Sequence, residues 1–141
     1  MKFEFPIEGG DFINAGHASS QVKKILNQLN IEPVVVRKIA VATYEAEVNV
    51  VAHAFQGIMR VKITPVMISV LVEDEGPGIP DIEKAMEEGY STASEKVREM
   101  GFGAGMGLSN IKKNTDKLDI RSRINEGTVV EMQTYLQSEK R

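Results

Sequence analysis

Glu73-Asp74-Glu75-Gly76-Pro77-Gly78-Ile79-Pro80 follows directly on the mostly apolar run Met67-Ile68-Ser69-Val70-Leu71-Val72. That run reads as a β-strand. A carboxylate, Asp74, therefore stands where a buried strand ends, and two glycines follow at once. A carboxylate so placed can accept a hydrogen bond from a buried donor such as the exocyclic amine of a base. Gly76 and Gly78 lack the Cβ atoms that would keep a flat ring or a phosphate from the backbone. Pro77 and Pro80 fix φ and stiffen the turn. Taken alone, the stretch reads equally well as an acidic surface turn, and the rest of the chain must decide.

Upstream, Lys2 to Ile7 alternates polar and apolar residues, an edge strand that tolerates Pro6. Gly9-Gly10 is a turn. Apolar residues at helical spacing run from Asp11 to about Leu29, with Asp11 or the later Asn14 as N-cap and Gly16 weakening the first turns. Pro33 opens a second helix that reaches about Phe55 and is stopped by Gly57. Apolar on more than one side, it is expected to lie buried between the sheet and another layer. Glu45, Asn49 and His53 recur on it at intervals of four and share one face. Ile58–Thr64 and Val66–Glu73 read as a hairpin turning at Pro65.

Downstream, Asp81 caps a short helix. Glu88 to Met100 is polar and aperiodic, a mobile lid by composition. The glycine run Gly101-Phe102-Gly103-Ala104-Gly105-Met106-Gly107 leads into a helix from Leu108 to about Leu118. Ile120–Ile124 and Gly127–Leu136 read as a closing strand pair. The order β-α-α-β-β-(lid)-α-β-β predicts an α+β fold, a two-layer sandwich of a mostly antiparallel sheet with helices on one face. Residues 1–136 form the expected single domain, and residues 137–141 a loose tail.

Composition narrows the function. The chain has 141 residues, 42% hydrophobic and 26% charged, and a net charge of −3. That charge makes no electrostatic case for nucleic acid, and Lys23-Lys24, Lys112-Lys113 and Arg121 with Arg123 read as solvated faces. No apolar run approaches the roughly 20 residues that span a bilayer. The N-terminus lacks the layout of a signal peptide, so no membrane contact and a cytoplasmic address are expected. With no cysteine and two histidines, His17 and His53, thiolate chemistry is excluded and a transition-metal site is disfavoured. His17 is expected to be exposed, and His53 to be a structural or rim residue.

The glycine run sorts by spacing. Counting from Gly101 or Gly103, the third position of a dinucleotide fingerprint is Met106 or Leu108, so that pattern fails, and a Gly-Lys-Ser/Thr phosphate loop is absent. Alternate glycines entering a helix N-terminus at Gly107-Leu108-Ser109 suit an anion, through free amides and the helix dipole. A plain linker is the alternative.

Glu45-x-x-x-Asn49, Asp74-x-Gly76-x-Gly78, Gly103-x-Gly105-x-Gly107-Leu108 and Gly127-Thr128 occur in that order. Together they resemble the four signature boxes of the GHKL-type ATPase superfamily, which includes gyrase, sensor histidine kinases and mismatch-repair ATPases. The Asp-Glu-Gly-Pro-Gly-Ile-Pro-Asp-Ile and Glu-Gly-Tyr-Ser-Thr segments, within Glu73 to Thr92, resemble the anti-sigma-factor and stress-signalling switch serine kinases. The resemblance implies a histidine-kinase-like, Bergerat-type ATP-binding fold with ATP and Mg²⁺ as cofactors. It makes Glu45 the catalytic base for a serine hydroxyl and Asn49 a nucleotide-site residue that ligates the metal. Asp74 would bind the adenine amine beside Gly76 and Gly78. Gly103, Gly105, Gly107 and Leu108 would enclose the phosphates, and Thr128 would place a hydroxyl near the base. Two departures stand out: an extra polar stretch from Ala93 to Met100, and Glu47 as a second carboxylate near the catalytic turn. Met86, Met100 and Met106 cluster around the lid, as adaptable surface or ordinary core.

The implied activity is that of an ATP-dependent serine-protein kinase and anti-sigma regulatory factor acting on a STAS-type (anti-anti-sigma) partner. A sigma factor or phosphatase is a further partner in such systems, and a homodimer is allowed. The alternative is a nucleotide-gated protein-binding switch with no significant phosphoryl transfer. Glu45 separates the two, because a switch needs Asp74 and Asn49 but no base.

Overall fold

The computed structural model describes residues 1–79, 81–86 and 107–136. Five strands form one sheet: β1 (Lys2–Glu8), β2 (Gln56–Ile63), β3 (Met67–Glu75), β4 (Lys117–Arg123) and β5 (Gly127–Tyr135). Their order is β1-β2-β3-β5-β4, and every neighbouring pair is antiparallel. Among the described residues the helices are α1 (His17–Gln28), α2 (Pro33–His53), α3 (Ile82–Ala85) and α4 (Gly107–Lys113). The expected α+β architecture is observed. Gly103, Gly105, Met100, Met106, the Glu88–Met100 lid and residues 137–141 lie outside the described residues.

Alternation builds the core. Every second residue of the strands faces the helices: Phe3, Phe5 and Ile7 on β1, Met59, Val61 and Ile63 on β2, Ile68, Val70 and Val72 on β3, and Thr128, Val130 and Met132 on β5. Leu26 of α1 and Ile111 of α4 are fully buried in the same cluster. Each such aliphatic side chain contributes about 1.5–3 kcal/mol by leaving water. The outer face of the sheet is polar and carries exposed ion pairs, Arg60 with Glu4 and Glu73, and Arg121 with Asp119 and Glu131. Exposed pairs of this kind add about 0–1 kcal/mol each.

The central helix is α2. It packs on α1, on α4 and on β1, β2, β3 and β5. Beyond Tyr44 it is almost wholly buried, as expected, whereas Val34, Arg37, Lys38, Val41 and Tyr44 remain exposed. Several boundaries differ from expectation. The helix ends at His53 with Ala54 as C-cap, and Gly57 belongs to β2, opposite Asp74. The chain extends there because β2 pairs with β3 from Gln56 onward. The ladder likewise carries β3 on to Glu75, so Asp74 is a strand residue. Leu118 lies in β4, paired with Met132, and not at the end of a helix. The helix stops at Lys113 because Asn114 and Thr115 both bond back to the Ile111 carbonyl.

Helix α1 begins at His17 and not at Asp11. Asp11 instead accepts from Asn14, at 2.9 Å from its side-chain amide. Gly16, with φ of 98°, precedes the first turn and offers no side-chain cap. His17 is exposed, as expected. Asp81 does cap its helix, accepting from Lys84 N–H at 3.1 Å. Among the described residues, no helix is long and apolar enough to cross a membrane.

Candidate functional site

The end of β3 and the β4–β5 turn make one interlocked unit. Asp74 is half-buried, and its Oδ1 accepts from the Thr128 backbone N–H at 3.1 Å. Among the described residues Oδ2 receives no hydrogen bond. Burial pushes the Asp74 carboxyl above its ordinary value, and the Thr128 N–H pulls the other way. Thr128 is buried, and its hydroxyl lies 2.9 Å from that of Ser122. Ser122 also accepts from Ile79 N–H at 2.7 Å and donates to the Gly127 carbonyl at 3.1 Å. Ser122 was not anticipated from the sequence. Its signal was the alternation Leu118, Ile120, Ser122, which puts a hydroxyl on the inward face of β4.

The glycines here serve the fold directly. A Cβ on Gly76 would stand 2.9 Å from Ala54 Cα, at the C-cap of α2. Gly78 has φ of 82°, and a Cβ would run into the Arg123 carbonyl. Gly127, with φ of 141°, faces the Asp74 carbonyl at equally close range. The space that these glycines leave is taken up by the chain itself. Gly76→Ala is expected to cost about 1–3 kcal/mol through overpacking against Ala54, measured by urea unfolding.

On α2, Glu45 and Asn49 are both half-buried, one turn apart. Glu45 Oε2 accepts from Asn110 Nδ2 of α4 at 3.2 Å, and Oε1 lies 3.6 Å from where a Cβ of Gly107 would sit. Among the described residues neither Arg37 nor Lys38 pairs with Glu45. Asn49 makes no side-chain hydrogen bond to any described residue. Leu108, expected beside the phosphates, is buried in the core and anchors α4. His53 is partly buried, and desolvation lowers its imidazole below the ordinary value, which favours the neutral form at neutral pH.

Glu47 departs from its expected place beside the catalytic turn. It is 3% exposed and faces α1. Its carboxylate accepts from the backbone N–H of Gly16 at 3.0 Å, Ala18 at 3.1 Å and Ser19 at 2.8 Å. The missing N-cap of α1 is therefore supplied from α2, and a negative charge meets the positive end of the helix dipole. Glu47 also lines a cleft of about 730 Å³ with Glu8, Asp11, His17, Phe55 and Gln56. None of Glu45, Asn49, Asp74 or Thr128 lines it.

The residues present fit a magnesium nucleotide. Asp74 offers an acceptor oxygen at the strand end, and Asn49 offers an amide oxygen, without a partner among the described residues, of the hard kind that Mg²⁺ prefers. Among the described residues, no three of His, Asp and Glu gather to hold a metal. Such an ion would therefore lean on Asn49 and on phosphate oxygens, a common arrangement for Mg²⁺.

Comparison with known proteins bears on the same elements. Residues 13–134 match the family model described as the histidine kinase-like ATPase domain. An anti-sigma F factor of Thermoanaerobacter sp. (strain X514) is 34% identical over 132 residues, covering 90% of this chain and 89% of that protein. The serine/threonine-protein kinase RsbT of Bacillus subtilis (strain 168) is 38% identical over 69 residues, 49% of this chain and 46% of RsbT. Among solved structures, the catalytic domain of histidine kinase ThkA superposes with a TM-score of 0.58 at 17% identity, covering 100% of this chain and 99% of that one. That likeness concerns the fold. With the sheet order, the Asp74 strand end and the Glu45–Asn49 helix in place, the chain belongs to the histidine-kinase-like ATPase domain family.

Proposed function

We propose that the protein is an ATP-dependent serine kinase and anti-sigma regulator that phosphorylates a STAS-type partner. One observation carries the reading. On α2, a carboxylate held by a neighbouring helix, Glu45, stands one turn before Asn49, an amide with no partner among the described residues. A nucleotide-gated switch would need the amide but not the carboxylate. The likeness to an anti-sigma F factor and to the kinase RsbT supports the same choice. Asp74 and Thr128 would hold the base, Asn49 the metal, and Gly107, with Gly103 and Gly105 before it, the phosphates. Bound Mg-ATP supplies the phosphoryl group and the metal charge that offsets the developing negative charge. Glu45 Oε1 would accept the proton of the incoming serine hydroxyl, which positions the nucleophile for in-line attack. A sigma factor or phosphatase as further partner, a homodimer, and action in the cytoplasm belong to the same proposal.

The test is transfer of labelled γ-phosphate from Mg-ATP to STAS-domain proteins of the same genome. Glu45→Ala is expected to keep ATP affinity within a few fold and to slow transfer by roughly a hundredfold or more. Asn49→Ala is expected to lose transfer together with the Mg-dependent part of nucleotide affinity. Transfer by Glu45→Ala at the wild-type rate would sink the kinase reading and leave the nucleotide-gated switch in its place.

A further inference from the structure

Glu45 has no partner on its own helix. The residues three and four away are Ala42, Val48, Val41 and Asn49, and none of them bonds to its carboxylate. Among the described residues its one hydrogen bond comes from Asn110, 65 residues away in sequence. Asn110 is the fourth residue of α4, the helix that opens at Gly107. The two oxygens of Glu45 are therefore unequal. Oε2 is tied to Asn110 Nδ2 at 3.2 Å, and Oε1 faces the start of α4 beside Gly107. A glutamate with three free torsions, half-exposed and untethered, would spread over several rotamers. One donor on one oxygen fixes the plane of the carboxylate, and among the described residues the other oxygen accepts no hydrogen bond.

On the kinase reading above, we propose that Asn110 is a positioning residue. Its amide holds Glu45 Oε2 so that Oε1 is presented to the acceptor hydroxyl, and it ties the base to the helix that follows the glycine run. The donor must sit on α4 because the base has to be aligned with the phosphate-enclosing end of that helix. Alignment of this kind governs rate more than binding, since a misplacement of about 1 Å can cost up to a hundredfold. Neither the serine substrate nor ATP need touch Asn110.

Two kinds of measurement test the proposal on the full chain. By NMR without nucleotide, the side-chain amide protons of Asn110 are expected to exchange slowly in the wild type and faster in Glu45→Ala. In phosphoryl transfer to the STAS-domain protein, Asn110→Ala and the equal-sized Asn110→Asp, which cannot donate, are expected to lower kcat by about tenfold to a hundredfold. KM for ATP should stay within about twofold, because only the reacting geometry is lost. The double variant Glu45→Ala/Asn110→Ala should be no slower than Glu45→Ala, since Asn110 acts through Glu45. If Asn110→Ala proves unstable, Asn110→Asp and the exchange measurement carry the test. A wild-type kcat for Asn110→Asp, or a double variant slower by the full Asn110 factor, overturns the positioning role while leaving the kinase reading intact. Wild-type transfer by Glu45→Ala would overturn both. Equal amide exchange in wild type and Glu45→Ala would overturn the tether itself.

Discussion

Glu47→Ala is expected to destabilise the protein by about 3–5 kcal/mol, since a buried donor left without a partner costs about 1–3 kcal/mol and two buried donors and one part-buried donor are involved. The donors are the N–H groups of Gly16, Ala18 and Ser19. Ala18 and Ser19 are buried, so water can replace the carboxylate only in part. Local relief is also absent, because Gly16 has no side chain and Asp11 is engaged with Asn14. The loss should appear in urea unfolding as a lower midpoint with little change in slope, because the surface exposed on unfolding is nearly the same. Glu47→Gln keeps the shape but turns one acceptor into a donor, and should fall in between. Phosphoryl transfer per folded molecule should be unchanged in both variants. A cost below about 1 kcal/mol would mean that α1 finds its cap elsewhere.

Asp74→Asn is expected to abolish the thermal stabilisation by Mg-ATP, which for the wild type is about 2.7 kcal/mol at a hundred times the dissociation constant. On the proposed adenine assignment the amide would turn a donor toward the adenine amine while its oxygen could still accept from Thr128 N–H, so the loss would fall on the ligand and not on the hairpin. Without nucleotide the sign reverses. Burial raises the folded-state Asp74 carboxyl above its unfolded value. The contribution of this group to stability is therefore fully present below the unfolded pKa and is lost as pH rises through the folded one. The asparagine does not titrate. The ligand-free variant should match or exceed the wild type in melting temperature at pH 7, with the difference shrinking as pH falls through the raised pKa. A nucleotide-induced shift that survives Asp74→Asn would refute the adenine assignment. A variant less stable than wild type at pH 7 would refute the burial argument.

Element order and type were legible in the sequence because their signals are local. Period-two alternation marked β1 and the hairpins, 3.6-residue spacing marked α1 and α2, and Asp81 announced its own helix. The common face of Glu45 and Asn49 was legible for the same reason, since a spacing of four on one helix fixes it. The acceptor at the end of β3 was legible from the switch between an apolar run and Asp74-Glu75-Gly76.

What only the tertiary structure decided depends on partners far along the chain. The start of α1 is set by Glu47, 28 to 31 residues away, so no pattern within Asp11–Ile25 could locate it. The same long reach turns Glu47, read as a second carboxylate near the catalytic turn, into a helix cap. Gly76 and Gly78 looked like openings for a ligand, but the atoms that crowd them are Ala54 and Arg123, brought in by α2 and the β4–β5 turn. Leu118 continued the helical spacing of Leu108 and Ile111, yet pairing with Met132 across the sheet draws it into β4. Asn110 sat unnoticed in a helix of ordinary composition until α4 packed beside α2. A single sequence shows the preferences of each segment. Which donor finds which acceptor is decided when the segments meet, because a buried polar group is stable only with the partner that packing brings to it.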